Sequence, residues 1–194
     1  MTRAAVGVLS IQGAYEKHKI ALNKLGINAI YVRSLEELLK VDRIIIPGGE
    51  STTMVTLLKK HSLWAPLKDF CRDNPVFGTC AGTILLAKKT HGLERFGSDN
   101  TLSVMDIEVR RNSYGRQQDS FKIFLDVKIN SKSQKIESIF IRAPSIIDID
   151  KSKVEILASL NNEPVFVKQG NKIAATFHPE LTSDLSIHRY FADI

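Results

Sequence analysis

The chain has 194 residues, 43% hydrophobic, with two cysteines and a formal net charge of +6, which suits one compact domain over residues 1–194 with a substantial core. Met1 to Ile11 is too short an apolar run to cross a membrane and has no convincing cleavage site. Cys71 and Cys80 match neither disulfide-framework, redox-pair nor metal spacing, so a cytoplasmic protein without metal or membrane association is expected. Lys and Arg are scattered without a recognition motif or aromatic platform, which argues against nucleic acid despite the positive charge.

In chain order, short apolar runs alternate with helical segments, the pattern of a sheet covered on both faces by helices. Ala4 to Ile11 reads as a buried strand and Tyr15 to Leu25 as a helix with Ile20, Ala21, Leu22 and Leu25 inward, stopped by Gly26. Asn28 to Val32 is a second strand, Leu35 to Leu39 a short helix, and Arg43 to Ile46 a third strand that breaks at Pro47-Gly48-Gly49. A helix starts near Ser51 or Thr52, another covers Trp64 to Arg72, and Val76 to Gly78 is a short strand leading into Cys80, followed by a helix over Gly82 to Lys89.

The second half changes character. Leu102 to Arg110, Phe121 to Ile129, Ile139 to Ile141, Val154 to Leu160, Pro164 to Gln169 and Lys172 to Phe177 all read as strands. Asn161-Asn162 and Gly170-Asn171 are hairpin-like turns, so an antiparallel extension is expected. Asn112 to Ser120 is a polar loop with clustered charge, and Ser183 to Ala192 closes the chain as a short amphipathic helix. The expected fold is an α/β three-layer sandwich: a central, mostly parallel sheet with an antiparallel extension and a site at the carboxyl edge of its strands.

Three segments carry chemistry. In Gly78-Thr79-Cys80-Ala81-Gly82 the small flanking residues permit a sharp strand-to-helix turn that presents a thiol. A helix start there favours the thiolate, and the Ala81 amide can bind a developing oxyanion. The same residues would also suit a buried core cysteine beside helix-packing glycines. In His178-Pro179-Glu180 the proline holds His178 extended, so residues two apart point the same way and Glu180 can orient the imidazole as a base. Alone, that pair is equally a solvated loop histidine with a helix-capping acid. The third segment, Pro47-Gly48-Gly49-Glu50-Ser51-Thr52-Thr53, leaves backbone amides facing a ligand, or is an ordinary turn capped by Ser51. His18, His61, His91 and His188 have no evident carboxylate companions, read as structural or solvated, and form no metal cluster.

Taken together these strings resemble the class I, triad-type glutamine amidotransferases, a flavodoxin-like fold. Within them the chain is similar to the branch of glutaminase subunits that serve pyridoxal 5′-phosphate synthase. The resemblance covers nearly the whole chain, from Gln12-Gly13-Ala14 with His18, through Arg111-Asn-Ser-Tyr-Gly-Arg-Gln117 and Phe140-Ile-Arg-Ala-Pro144, to His178-Pro-Glu-Leu-Thr182. The elbow and His-x-Glu mark the superfamily, and the Glu50-Ser51-Thr52-Thr53, Arg111-Asn-x-x-Gly-Arg-Gln117 and Ile141-Arg142-Ala143-Pro144 strings mark the vitamin B6 branch. Thr83 and Tyr114 depart from the family pattern at positions with no proposed chemical role.

The resemblance implies hydrolysis of L-glutamine to glutamate and ammonia, and passage of the ammonia to a partner synthase subunit that assembles the vitamer. Pyridoxal 5′-phosphate would be a product of the complex, and no cofactor is expected in this chain. By matching position, Cys80 is the nucleophile, His178 the proton shuttle and Glu180 its orienting acid. Gly49, Glu50, Ser51, Arg111, Ile141 and Arg142 would bind glutamine, with an oxyanion hole near Gly48, Gly49 and Ala81 that synthase binding completes. Arginine suits an α-carboxylate and Glu50 an α-ammonium, and either Arg111 or Arg142 could make the direct contact. Alternatives are a glutaminase for another synthase, a free-standing γ-glutamyl hydrolase, and a silent binding protein on the same fold.

Overall fold

The computed structural model describes residues 5–92, 99–111 and 120–194. Its central strands are apolar on both sides because both sides are covered. In β1 (Ala5–Leu9), Ala5 and Leu9 pack on one face and Val6 and Val8 on the other; in β3 (Val41–Ile46), Ile44 and Ile46 join the first face and Ile45 the second. This period of two is the strand's own geometry, and each such side chain withdrawn from water contributes about 1.5–3 kcal/mol. With β2 (Ala29–Val32), β4 (Val76–Thr79) and β12 (Lys172–Ala175) they form a parallel sheet in the order β2-β1-β3-β4-β12. β11 (Glu163–Gln169) and β10 (Glu155–Leu160) continue it antiparallel beyond β12, turning at Gly170 and at Asn161-Asn162, all with positive φ.

One face is covered by α3 (Ser51–Lys60), α4 (Trp64–Asp73) and α5 (Ala81–Leu86), with Leu38 of the short α2 (Leu35–Leu38) in the same core. A small sheet of β5 (Ala87–His91), β6 (Met105–Arg110) and β9 (Ser145–Ile149) adds Met105, Ile107, Val109 and Ile146 to it. The other face carries α1 (Tyr15–Lys24), α6 (Ser186–Ala192) and the hairpin of β7 (Phe121–Ile129) and β8 (Lys132–Phe140). The order 2-1-3-4-5 of the parallel strands is that of doubly wound sheets that bind ligands beyond their carboxyl ends, at the switch between the first and third strands.

The first half follows the expected βα alternation. Ile20 is 45% exposed and Leu25 only half-buried, whereas His18 is fully buried with Ala21 and Leu22. Positions 18, 21 and 22 share one face of a helix, and Ile20 cannot join them. The helix expected over Gly82 to Lys89 ends at Leu86, because Ala87–His91 pairs in parallel with β6. Of the second-half strands among the described residues, β10 and β11 extend the main sheet antiparallel, while β12 joins it in parallel beside β4. Leu102 to Val104 precede the strand, which starts at Met105, and Ile139-Phe140 are the end of nine-residue β8. β12 stops at Ala175, and the last helix starts at Ser186. Most of the loop expected at Asn112 to Ser120, with Tyr114 and Arg116, lies outside the described residues. No helix among the described residues is long and apolar enough to cross a membrane.

Candidate active site

Four segments that follow carboxyl ends of parallel strands meet in one cavity of about 330 Å³: Gln12-Gly13-Ala14 after β1, Gly48 to Ser51 after β3, Cys80-Ala81 after β4, and His178 after β12. Its volume is at the lower end of the range for small-molecule sites. Ile141 and Arg142, delivered by the end of β8, and Arg111, just after β6, complete the polar lining.

Cys80 joins β4 to α5 with φ 47° and ψ −105°, a strained conformation for a residue with a side chain. The surroundings enforce it. The Cys80 amide donates to the Ala175 carbonyl at 2.8 Å, and Thr83 Oγ1 donates to the same carbonyl at 2.7 Å and towards the Gly78 carbonyl at 3.2 Å. Thr83, unassigned in sequence, therefore braces the elbow. Gly78 and Gly82 are required by contact: a Cβ on Gly82 would lie 2.1 Å from the Ile46 carbonyl oxygen, and one on Gly78 would lie 2.7 Å from the Gly82 carbonyl carbon.

His178 is fixed by its amide, which donates to the Ile139 carbonyl at 2.8 Å, and its Nδ1 lies 2.7 Å from Glu180 Oε1. The expected extended arrangement is not what aligns this pair. Pro179–Leu181 forms a 3-10 turn with Pro179 at its first position, and the turn brings Glu180 back beneath the imidazole. Burial alone would lower the His178 pKa, but hydrogen bonds with Cys80 and Glu180 outweigh it and raise it to about 10. For Glu180 burial is the largest influence and pushes upward, yet the nearby His18 and His178 bring the carboxyl below its ordinary value. With Nδ1 engaged by Glu180, Nε2 is the nitrogen left for the thiol.

The glycine loop after β3 is held by the loop after β1. Ala14 N donates to the Gly48 carbonyl at 3.0 Å, and Glu50 N donates to Gln12 Oε1 at 2.9 Å. In a trans peptide the first bond also fixes the direction of the Gly49 N–H. A Cβ on Gly48 would lie 2.4 Å from His178 Cε1. Among the described residues neither the Gly49 nor the Ala81 amide donates to a backbone carbonyl in the loop contacts.

Glu50, not Ser51, caps α3 by accepting from Thr53 N at 3.2 Å, with the Thr52 hydroxyl on the same oxygen. Its other oxygen accepts from Arg111 Nη2 at 2.7 Å. Burial opposes ionisation of Glu50, but the Thr52 and Thr53 bonds and Arg111 lower its pKa. Ser51 is 1% exposed, and its Oγ has no hydrogen-bond partner among the described residues although it lines the cavity. Arg142 is exposed at the rim with φ 44°. Every candidate residue named from sequence thus lines this cavity, except Glu180, which lies behind His178.

The histidines are a correction. His91 lies in β5 against Glu108, and buried His18 lies 3.5 Å from Glu180 Oε2, so both have carboxylate companions. The signal for His18 was its place on the buried face of α1; its partners are remote in sequence. Among the described residues no group of three or more His, Cys, Asp or Glu side chains is arranged to hold a metal ion.

Residues 8–194 match the SNO glutamine amidotransferase family. The chain is 45% identical over 190 residues to the pyridoxal 5′-phosphate synthase subunit PdxT of Francisella philomiragia, covering 98% of each chain. It is 47% identical to the subunit of the same name from Thermotoga petrophila, covering 97% of this chain and 98% of that one. A crystal structure described as a glutamine amidotransferase superposes with a TM-score of 0.87 at 40% identity, over 98% of this chain and 100% of that one. A chain of PurLQS from Thermotoga maritima shares the fold alone, with a TM-score of 0.67 at 16% identity over 100% and 99% of the two chains.

Proposed function

The chain belongs to the SNO glutamine amidotransferase family, and from that membership and the cavity's chemistry we propose that it hydrolyses L-glutamine and delivers the ammonia to a synthase subunit making pyridoxal 5′-phosphate. The observation that carries the reading is the joint presence, in one cavity, of a strained cysteine paired with a carboxylate-oriented histidine and of an unlike-charge pair suited to a free amino acid.

Cys80 gives its thiol proton to His178 Nε2 and its Sγ attacks the side-chain amide carbon of glutamine, and the carbonyl oxygen becomes an oxyanion within reach of the Gly49 and Ala81 amides. His178 Nε2–H gives its proton to the amide nitrogen as the C–N bond breaks. Ammonia leaves, and a γ-glutamyl thioester remains on Cys80. Water then attacks the thioester, His178 takes a proton from it, and glutamate and the free thiol are regenerated. Glu180 accepts from Nδ1–H throughout and stabilises the imidazolium.

Recognition uses both ends of the Glu50–Arg111 pair: the α-ammonium goes to Glu50 and the α-carboxylate to Arg111, with Ser51 Oγ a further donor. The two side chains pair with each other at 2.7 Å, and bound glutamine would replace that one ion pair by two. A peptide-bound glutamine has neither charge and leaves both groups unmatched, which excludes protein side chains. Arg142, at the exposed rim, is the secondary cation. The oxyanion hole is completed when the synthase binds, which couples hydrolysis to a waiting acceptor.

The test mixes the chain with a synthase subunit, a pentose phosphate, a triose phosphate and glutamine labelled with 15N in the side-chain amide, in excess unlabelled ammonium. The account expects the label in the pyridine ring of the product and faster glutamate release with the synthase than without it. Glutamate release without labelled vitamer would point to a different acceptor, and equal release with and without the synthase would remove the coupling.

A further inference from the structure

Behind the cavity, a polar cluster sits in an otherwise apolar layer. His18 of α1 and His188 of α6 are both 0% exposed, and Glu180 is 5% exposed. His18 Nδ1 lies 2.9 Å from His188 Nε2, and His18 Nε2 lies 3.2 Å from Thr79 Oγ1 and 3.5 Å from Glu180 Oε2. Glu180 Oε1 is engaged by His178, whereas Oε2 has no hydrogen-bond partner among the described residues and has His18 Nε2 only at 3.5 Å. Burying polar groups this deeply is costly unless each does something.

The contacts select one arrangement of protons. An unprotonated His18 Nε2 would set a lone pair against the carboxylate, so the proton belongs on Nε2, facing Glu180 and Thr79. Nδ1 is then an acceptor, and His188 must donate Nε2–H to it. This leaves His188 Nδ1 as the atom without a protein partner, as observed among the described residues. Burial lowers the pKa of both imidazoles, that of His188 to about 3, so near neutral pH both act through N–H groups and not through charge.

We propose that His18 is a positioning residue for the reaction: its Nε2–H, hydrogen-bonded to Thr79, turns its positive end towards Glu180 Oε2 at 3.5 Å and so favours the orientation in which Oε1 stays aimed at His178 Nδ1, while Thr79 and His188 fix the His18 ring. Thr79 directly precedes the nucleophile in β4, so one imidazole ties the elbow strand, the base's orienting carboxylate and two helices together. Without that N–H, Oε2 stays buried with no hydrogen-bond partner among the described residues to fix it. The carboxylate is then free to rotate, and it protonates at higher pH. The titratable groups facing Glu180 are His178 in its own turn and His18 from α1 with His188 behind it, while Lys17 and Lys24 of α1 line the groove alongside.

The inference rests on the glutaminase reading for its kinetic arm only. In His18→Leu, assayed with the synthase subunit, kcat falls roughly three- to tenfold, the range for one neutral hydrogen bond or weak polar contact. The KM for glutamine stays within about twofold, since His18 does not line the cavity. The acidic limb of the kcat profile moves to higher pH. His18→Gln, whose amide supplies a donor for Glu180 and an acceptor for His188, recovers most of the loss. Independently of activity or of any variant's folding, 15N NMR of the wild-type chain should find the His18 proton on Nε2. A proton on Nδ1, an unchanged kcat in His18→Leu, or equal losses in the Leu and Gln variants would overturn the proposal. A wild-type complex without glutaminase activity would count against the function, and the His18 proton would still decide the contact.

Discussion

Replacing Gly82 by alanine tests whether the elbow geometry is imposed by the packing of α5 on β3. The new Cβ would start 2.1 Å from the Ile46 carbonyl oxygen and 3.0 Å from its carbon, both backbone atoms at the carboxyl end of β3, where it is paired with β4. Neither can swing aside as a side-chain tip would, so the start of α5 must retreat by about 1 Å to reach a tolerable contact, carrying Cys80 with it. Overpacking of this kind costs about 1–3 kcal/mol, which for a chain this size lowers Tm by roughly 2–12 °C. A nucleophile displaced by about 1 Å loses on the order of a hundredfold in rate, equivalent to about 2.7 kcal/mol of barrier. Gly26→Ala is the control: Gly26 has φ +71° with nothing within 4 Å of a Cβ, so that variant should lose about 1 kcal/mol from backbone strain and no activity. Thermal melts and glutaminase kinetics on both variants supply the comparison. If Gly82→Ala melts within a degree of wild type and keeps its kcat within twofold, the elbow does not depend on this contact and the packing argument is wrong.

Glu180→Gln should lower the His178 pKa from its value of about 10, because the carboxylate's hydrogen bond and charge oppose the effect of burial; an NMR titration reads it directly, and an unmoved His178 would contradict the pairing. The sign of the linked stability follows. A folded pKa raised above the ordinary 6.5 gives stabilisation that is complete below 6.5 and lost as pH rises towards 10, so the variant's stability should change less over that window. Glu50→Gln should raise the KM for glutamine by roughly ten- to a hundredfold through loss of the ammonium contact and lower Tm by only a few degrees, since Glu50 is the half-exposed member of its ion pair and the amide oxygen can still cap α3; an unchanged KM would remove Glu50 from recognition. Brief alkylation of the native chain should label Cys80 and spare Cys71, whose thiol is fully buried with its pKa raised by that burial; peptide mapping that finds Cys71 labelled would contradict the packing of α4.

The parallel half of the fold was legible because each of its strands is a short apolar run between turn residues, as in Arg43 to Ile46 before Pro47-Gly48-Gly49. β8 was harder to find. It carries Lys132, Ser133, Gln134 and Lys135 at its exposed start and buries Ile136, Ser138 and Phe140 only near its end, so its first half looks like loop. Asn130 and Ser131, with φ of 50° and 63°, are the hairpin turn that marks it. Ala87 to Lys89 could continue a helix by propensity, and only pairing with β6, remote from it in sequence, makes it a strand. The cavity residues were legible from glycine-flanked strings because sharp turns and close approaches demand glycine at Gly78 and Gly82. The reverse side of the site was not: His18 and His188 are 170 positions apart, and nothing local signals their contact. Glu50 and Arg111 were each named from sequence as candidate glutamine contacts, but their mutual pairing at 2.7 Å emerges only from the fold.

In the proposed reaction Cys80 carries the γ-glutamyl group between ammonia release and hydrolysis. Rapid mixing of the chain, its synthase subunit and glutamine, followed by acid quench and mass analysis of the Cys80 peptide, reads that species directly. The account predicts a γ-glutamyl adduct on Cys80 that forms and decays within a turnover, and its absence in a folded, synthase-binding Cys80→Ala variant that releases no glutamate. Glutamate release by that variant at the wild-type rate, or an adduct on any other residue of the wild-type chain, would contradict it.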